Sequence, residues 1–247
     1  MRAGADAGGA EIDLARLLAR GLQNDPDNPP VNPPNTVAVI DFETTGISPA
    51  MGARATEIAA VLVRDGVIVG RFASLMRTGV WVPPFIEQLT GISNRMLATA
   101  PPARQVMREV AAFTRGCGVV AHNAAFDSGF WRHELALAEV DEETAASAAA
   151  AGQSFACTLL LSRRLTPEAP NHQLGTLAQF HGIAPTGRAH RALADAEVTA
   201  ELWLRLTQAV QRQFSADVPF GLMCALQKAP RHGLARCAER YWAAVAT

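Results

Sequence analysis

Residues 37–46, VAVIDFETTG, place four apolar side chains immediately before two acids. Val37, Ala38, Val39 and Ile40 are apolar on both faces of any strand they form, the pattern of a central strand covered on both sides. Asp41 and Glu43 are two residues apart, so strand alternation points them the same way. Two like charges at the end of a buried element repel and are costly to desolvate. A cation held between them removes the conflict.

The remaining sequence supplies an α/β frame for that strand. TEIAAVLVRDGVIVGRFASLM (56–76) reads as two strands joined at Asp65-Gly66, a strong hairpin signal, so three antiparallel strands come first. A helical stretch from about Pro84 to Arg115, broken near Thr90-Gly91 and at Pro101-Pro102, leads to a short apolar strand in GVVAHN (118–123). Reaching that strand through helices implies a crossover connection and parallel pairing with the first strand. FDSGFWRHELALAEV (126–140) reads as an amphipathic helix and DEETAASAAAAGQ (141–153) as a low-complexity excursion. A short fifth strand near Phe155 and helices near 158–165, 173–181 and 191–211 complete a mixed five-stranded sheet flanked by helices.

Three segments follow from these patterns. Residues 1–35 hold a helix at 11–22 and a proline- and asparagine-rich linker, residues 36–211 the main domain, and residues 212–247 a helical C-terminal tail. With 49% apolar residues the chain can build a real core, and its formal net charge of −1 excludes a protein that coats nucleic acid through bulk charge. Any electrostatic site is therefore local. Cys117, Cys157, Cys224 and Cys237 form no CxxC pair, which points away from a zinc site or disulfide framework and toward a reducing cytoplasm. No stretch approaches the ~20 apolar residues of a membrane span.

The chemistry-bearing residues are Asp41 and Glu43, Asp127 after AHNAAF, and His190 and Asp195 in HRALADA. Residues just past the carboxyl ends of adjacent parallel strands converge on one crevice, which brings Asp41, Glu43 and Asp127 within reach of each other. On one helix His190 and Asp195 would lie roughly 140° apart, so His190 is expected in the loop before the helix. Clustered carboxylates without cysteine favour oxygen-preferring Mg²⁺ or Mn²⁺. Two such ions suit in-line phosphoryl displacement, with a histidine to deprotonate the water. His122 and Asn123 read as polar groups that fix the strand-to-helix turn. Arg188 and Arg191 are open between phosphate contact and a solvated rim.

IDFETTG, AHNAAFD and HRALADA, in this order and spacing, resemble the motifs of the DEDDh 3′-to-5′ exonucleases, the group containing the proofreading epsilon subunit of bacterial DNA polymerase III. The similarity runs from about Thr36 to Leu206 and takes in PPFIEQLTGIS and NHQLGTLAQFHGI. It implies a ribonuclease-H-like fold and a pair of divalent metal ions. Asp41, Glu43 and Asp195 would hold one ion, with Asp41 bridging to a second that Asp127 helps hold. His190 matches the family's general base. Thr44, Thr45 and Gly46 would contact the terminal nucleotide, Glu57 the 3′ end, and Leu89 to Ile92 the terminal bases.

The activity so implied is metal-dependent release of nucleoside monophosphates from a single-stranded or frayed 3′ end, with DNA ahead of RNA as substrate, in proofreading or repair. An RNA 3′ exonuclease is the second reading, since the motifs do not show whether a 2′-hydroxyl is accepted. A third is an accessory replisome subunit that acts mainly by binding DNA polymerase III or its clamp. Against it stand the intact acids and the lack of a clear clamp motif, QRQFSADVPF (211–220) being only loosely similar to one.

Overall fold

The computed structural model describes residues 32, 35–140, 155–214 and 218–245. The expected helix at 11–22, most of the linker and the excursion at 141–153 lie outside the described residues. Asn32, at the linker's end, donates from its backbone N–H and side-chain amide to the Arg115 carbonyl at 2.9 Å each, and from that amide to the Phe113 carbonyl at 2.9 Å.

The sheet has five strands in the order β3-β2-β1-β4-β5. They are β1 (Val37–Thr44), β2 (Ala55–Arg64), β3 (Val67–Leu75), β4 (Gly118–Ala121) and β5 (Ala156–Cys157). β1 pairs antiparallel with β2 and parallel with β4, so it is central, as its run of apolar residues requires. β2 and β3 meet through Asp65 (φ 50°) and Gly66 (φ 81°), the two positive-φ positions of a tight hairpin. The mixed sheet expected from the sequence is therefore the one observed.

The helices are α1 (Pro84–Thr90), α2 (Asn94–Ala98), α3 (Ala103–Phe113), α4 (Ala124–Leu137), α5 (Thr158–Leu165), α6 (Leu174–Phe180), α7 (Ala192–Phe214), α8 (Phe220–Leu226) and α9 (Leu234–Val245). Strand alternation divides the core. Val37 and Val39 of β1 and Val61 and Val63 of β2 are buried with residues of α7, while Ile40, Phe42, Ile58 and Ala60 are buried with residues of α3 and α4. Odd-numbered positions of β1 and β2 thus face the α7 side. Asp41, Glu43 and Glu57 share that parity, which directs three acids toward the start of one helix.

α8 and α9 belong to the same core as α7 and the sheet, with Leu222, Met223, Leu226, Leu234 and Ala238 buried in it. The Phe220 ring fills the space above Gly118, where a Cβ would lie 2.7 Å from it. Gln227 is buried and completes the sheet edge: its side-chain oxygen accepts from the Cys157 N–H at 2.6 Å and its amide donates to the Phe155 carbonyl at 2.9 Å. Nothing in the local pattern of residues 212–247 marks that role.

Candidate active site

β1 ends in the acids, and its register brings Glu43 directly opposite Glu57 on β2. Like charges facing across an antiparallel pair are destabilising unless something cationic intervenes. Here Arg191 does: its Nη2 donates to Glu57 Oε1 at 2.7 Å and its Nε to Oε2 at 3.1 Å, while the Ala192 N–H donates to Oε2 at 3.0 Å. Glu57 is buried. It therefore anchors the first turn of α7 to β2, whereas the sequence motifs had suggested a direct contact with the 3′ end of a substrate.

That anchor sets the position of the next two candidate side chains. His190 precedes α7 in an exposed turn with φ 60°, as its spacing from Asp195 requires, and its backbone N–H donates to Asp195 Oδ2 at 3.0 Å. Asp195 lies in the first turn of α7. Ligand atoms of Glu43, His190 and Asp195 all lie within 4.8 Å of one another. Asp127 lies in the first turn of α4, which begins directly after Asn123 in the left-handed region at φ 63°. The strand-to-helix turn swings Asp127 back over β1.

The carboxylates feel one another strongly. Burial raises Asp41 well above the usual carboxylate range, and the charges of Asp127, Glu43, Asp195 and Glu57 raise it further. Glu43 is pushed up to about 8, first by burial and then by Asp195 and Glu57, with Arg191 pulling it down. Asp127 is pushed up to about 7 by burial, against hydrogen bonds from the backbone of Asp127 itself and of Phe42. Asp195 is raised by burial, with the His190 N–H opposing. Four acids so placed resist ionising together, and a divalent cation is the species that lets them. Their all-oxygen donors fit Mg²⁺ or Mn²⁺, which makes the arrangement chemically suited to such ions.

Other residues singled out in the sequence have internal duties. The Thr44 hydroxyl donates to the Gly46 carbonyl at 2.7 Å, and the Thr45 hydroxyl accepts from the Arg54 N–H at 3.0 Å, so both hydroxyls help fold the turn after β1. Gly46 lies against Ala53, whose Cβ would be 3.3 Å from a Cβ at this position. Ile92 is fully buried with Val82 and Leu97, so it cannot press on a base; Leu89 is the exposed member of that pair. His122 sits between Thr158 Oγ1 at 2.9 Å and the His172 carbonyl at 3.1 Å, and burial drives it down to about 4; its ring ties the end of β4 to distant segments, where the sequence had suggested a group that fixes its own turn. Arg188 donates to the Gln88 and Leu89 carbonyls at 3.3 and 3.4 Å, closing the His190 turn onto the end of α1.

Two ion pairs with buried carboxylates were missed by sequence reasoning. One is Glu57 with Arg191. The other is Glu134, whose oxygens each accept from Arg54 at 2.8 Å while Oε1 also accepts from the Ala55 N–H at 3.1 Å, tying the start of β2 to α4. Partners so far apart in sequence leave no local pattern.

Comparison with known proteins is consistent with this geometry. The Exonuclease family model matches residues 38–203. The chain is 34% identical over 194 residues to the 3′-5′ exonuclease DinG of Bacillus subtilis, covering 78% of this chain and 19% of that protein. It is 37% identical over 175 residues to the PolC-type DNA polymerase III of Halalkalibacterium halodurans, covering 70% of this chain and 12% of that one. The chain thus spans a fifth or less of the length of these curated relatives. Among solved structures it is similar to exonuclease X in complex with 5′ overhanging duplex DNA (26% identity, TM-score 0.53, 73% of this chain and 93% of that one). It also shares the fold of E. coli exonuclease I in complex with a dT13 oligonucleotide (19% identity, TM-score 0.62, 73% and 43%).

Proposed function

The chain belongs to the Exonuclease family, and from that premise we propose that it is a divalent-metal-dependent 3′-to-5′ exonuclease of the DEDDh type, hydrolysing DNA from a single-stranded or frayed 3′ end to nucleoside monophosphates. The observation that carries this reading is the crowding of Asp41, Glu43, Asp127 and Asp195, each raised by burial, with Glu43 and Asp195 set beside exposed His190. Asp41, Glu43 and Asp195 would hold one ion, and Asp41 and Asp127 a second. Such a pair supplies charge stabilisation for the attacking and leaving oxygens of an in-line displacement.

The chain's own residues do the rest. The His190 imidazole takes the proton of the attacking water, work suited to a side chain that ordinarily titrates near neutrality. Asp195 holds the His190 backbone, and Glu57 with Arg191 holds the start of the helix behind it. DNA is favoured over RNA by the DNA polymerase among the relatives and the DNA-bound exonuclease X. Proofreading beside DNA polymerase III or its clamp is the cellular role we infer from the PolC-type relatives; co-purification with those subunits tests it. As for location, no helix among the described residues is long and apolar enough to cross a membrane.

The decisive assay uses 5′-labelled single-stranded DNA, duplex DNA and RNA of one sequence, with Mg²⁺, Mn²⁺ or chelator. The expected result is a ladder from the 3′ end of DNA that chelator abolishes and a 3′-phosphate blocks. Cutting of a circular single strand, or undiminished hydrolysis after metal removal, defeats the reading.

A further inference from the structure

Residues 81–92 turn part of their apolar side chains the wrong way for an ordinary amphipathic segment. Val82, Ile92 and Leu97 are buried, with Leu75 and Ile86 packed against them. Trp81 is 72% exposed, Phe85 66% and Leu89 46%. Phe85 and Leu89 are four apart on α1 and share a face, about 6 Å apart along its axis. The backbone that carries Trp81 is pinned: the Val82 N–H donates to Asn94 Oδ1 at 2.9 Å, and Asn94 Nδ2 donates to the Val82 carbonyl at 3.0 Å. Large apolar side chains grouped in water on a fixed backbone form the kind of patch that marks a binding surface.

This segment is tied to the turn that carries His190. The Arg188 guanidinium lies over Gly91, where a Cβ would come within 2.6 Å of it, and reaches the Gln88 and Leu89 carbonyls; His190 follows two residues later. Leu89 thus stands at the rim of the crevice, Phe85 one helical turn behind it, and Trp81 just before the helix. We propose that Trp81 and Phe85 extend the site into a stacking platform for the bases of a single-stranded 3′ tail behind its terminal nucleotide. The proposal rests on the exonuclease reading above. Every base has a π-face, so an aromatic platform binds a strand without regard to sequence, as a general 3′ exonuclease needs. A protein partner fits less well: stable docking takes about 800 Å² on each side, whereas two aromatic side chains offer at most about 500 Å².

Steady-state digestion of a thymidylate dodecamer and of a dinucleotide, by wild type, Trp81→Ala, Phe85→Ala, the double variant and Trp81→Phe, tests the platform. KM for the dodecamer should rise about ten-fold in each alanine variant and further in the double, with Trp81→Phe restoring it. The preference for the dodecamer over the dinucleotide should shrink in parallel. An unchanged dodecamer KM, or an equal loss on both substrates, overturns the proposal. So does an unmoved KM accompanied by loss of a co-purifying protein, which would make the face a protein-docking surface. If the wild type digests neither oligonucleotide, the exonuclease reading itself fails. The platform then stands or falls on tryptophan fluorescence during dodecamer titration in chelator. A quench that Trp81→Phe removes supports it, and a titration without quench refutes it.

Discussion

Asp41 and Glu43 stand on a strand paired with β2 along its length and with β4 at Val37–Val39, whereas His190 and Asp195 stand where an exposed turn enters a helix. The first pair is placed by the sheet, and changing a side chain there alters charge while the backbone keeps its shape. The second pair is placed by a few contacts from elsewhere: Glu57 holding Arg191 and Ala192, Arg188 holding the end of α1, and Asp195 holding the His190 N–H. In the strand-held half, function should therefore depend on the acids themselves. In the turn-held half it should depend also on residues that never touch a substrate.

The largest effect belongs to the strand. Asp41→Asn removes a charge proposed to serve both ions, so turnover should fall on the order of 10⁴-fold or more, with metal affinity falling alongside. Calorimetric titration with Mn²⁺ beside single-turnover rates checks both; a variant that binds metal normally would move Asp41 out of the ligand set. The same crowding fixes the sign of a pH effect. Glu43 near 8 and Asp127 near 7 keep protons in the folded, metal-free protein that the unfolded chain loses near pH 4. Metal-free stability should therefore fall as pH rises from about 4 to 8, by an amount on the order of a few kcal/mol. Mg²⁺ binds only the native site, so it should raise Tm more at pH 8 than at pH 5. Equal shifts at both pH values would mean that these carboxylates do not bind the ion.

Next is the histidine. His190→Gln should slow turnover by about 10²- to 10⁴-fold with metal affinity largely kept. Because Glu43, His190 and Asp195 offer ligand atoms within 4.8 Å of one another, the alternative outcome is concrete. If metal affinity falls as far as in Asp41→Asn, His190 is a ligand and some other group takes the proton.

A smaller effect should come from Glu57→Gln, which leaves Arg191 with a neutral partner beside the acids. We expect about a ten-fold loss of kcat, little change in KM, and metal binding kept. A rise in KM with kcat intact would instead favour direct contact between Glu57 and the 3′ end of the substrate.

What could be read from the sequence follows the same division. The central strand, the Asp65-Gly66 hairpin and the crossover to β4 are written in short-range patterns, and strand alternation already aims Asp41 and Glu43 together. His190 could be put in a turn because five residues do not bring two side chains to one helical face. The clamps could not be read, since Glu57 and Arg191 are 134 residues apart and Arg54 and Glu134 are 80 apart. They exist only because β2 lies where both α4 and α7 can reach it. Ile92 misled for a different reason. Its pairing with Leu89 rests on the family resemblance alone, and it is the small core made by Val82 and Leu97 that draws it inside. Gln227 closes the sheet edge from a tail whose pattern shows only helices.

The smallest effect on catalysis should come from the clamp that resembles Glu57–Arg191 most closely in form. Glu134 also receives a two-point arginine and a backbone N–H, yet it joins β2 to the side of α4 where Glu134 is 1% exposed, away from His190. Breaking a fully buried pair costs about 3–5 kcal/mol, and the 21% exposure of the Arg54 side chain lowers this toward about 2–3 kcal/mol for Glu134→Gln. Tm should drop by several degrees. The rate per folded molecule should stay within about two-fold, because α4 is also held by Phe130, Trp131 and Leu135 in the core, and Asp127 rides on that helix. Denaturant melts paired with active-site titration separate the two quantities. A Glu134→Gln protein that is well folded but slowed as much as Glu57→Gln would show that Asp127 depends on its clamp as His190 does, and would place it with the turn-held pair.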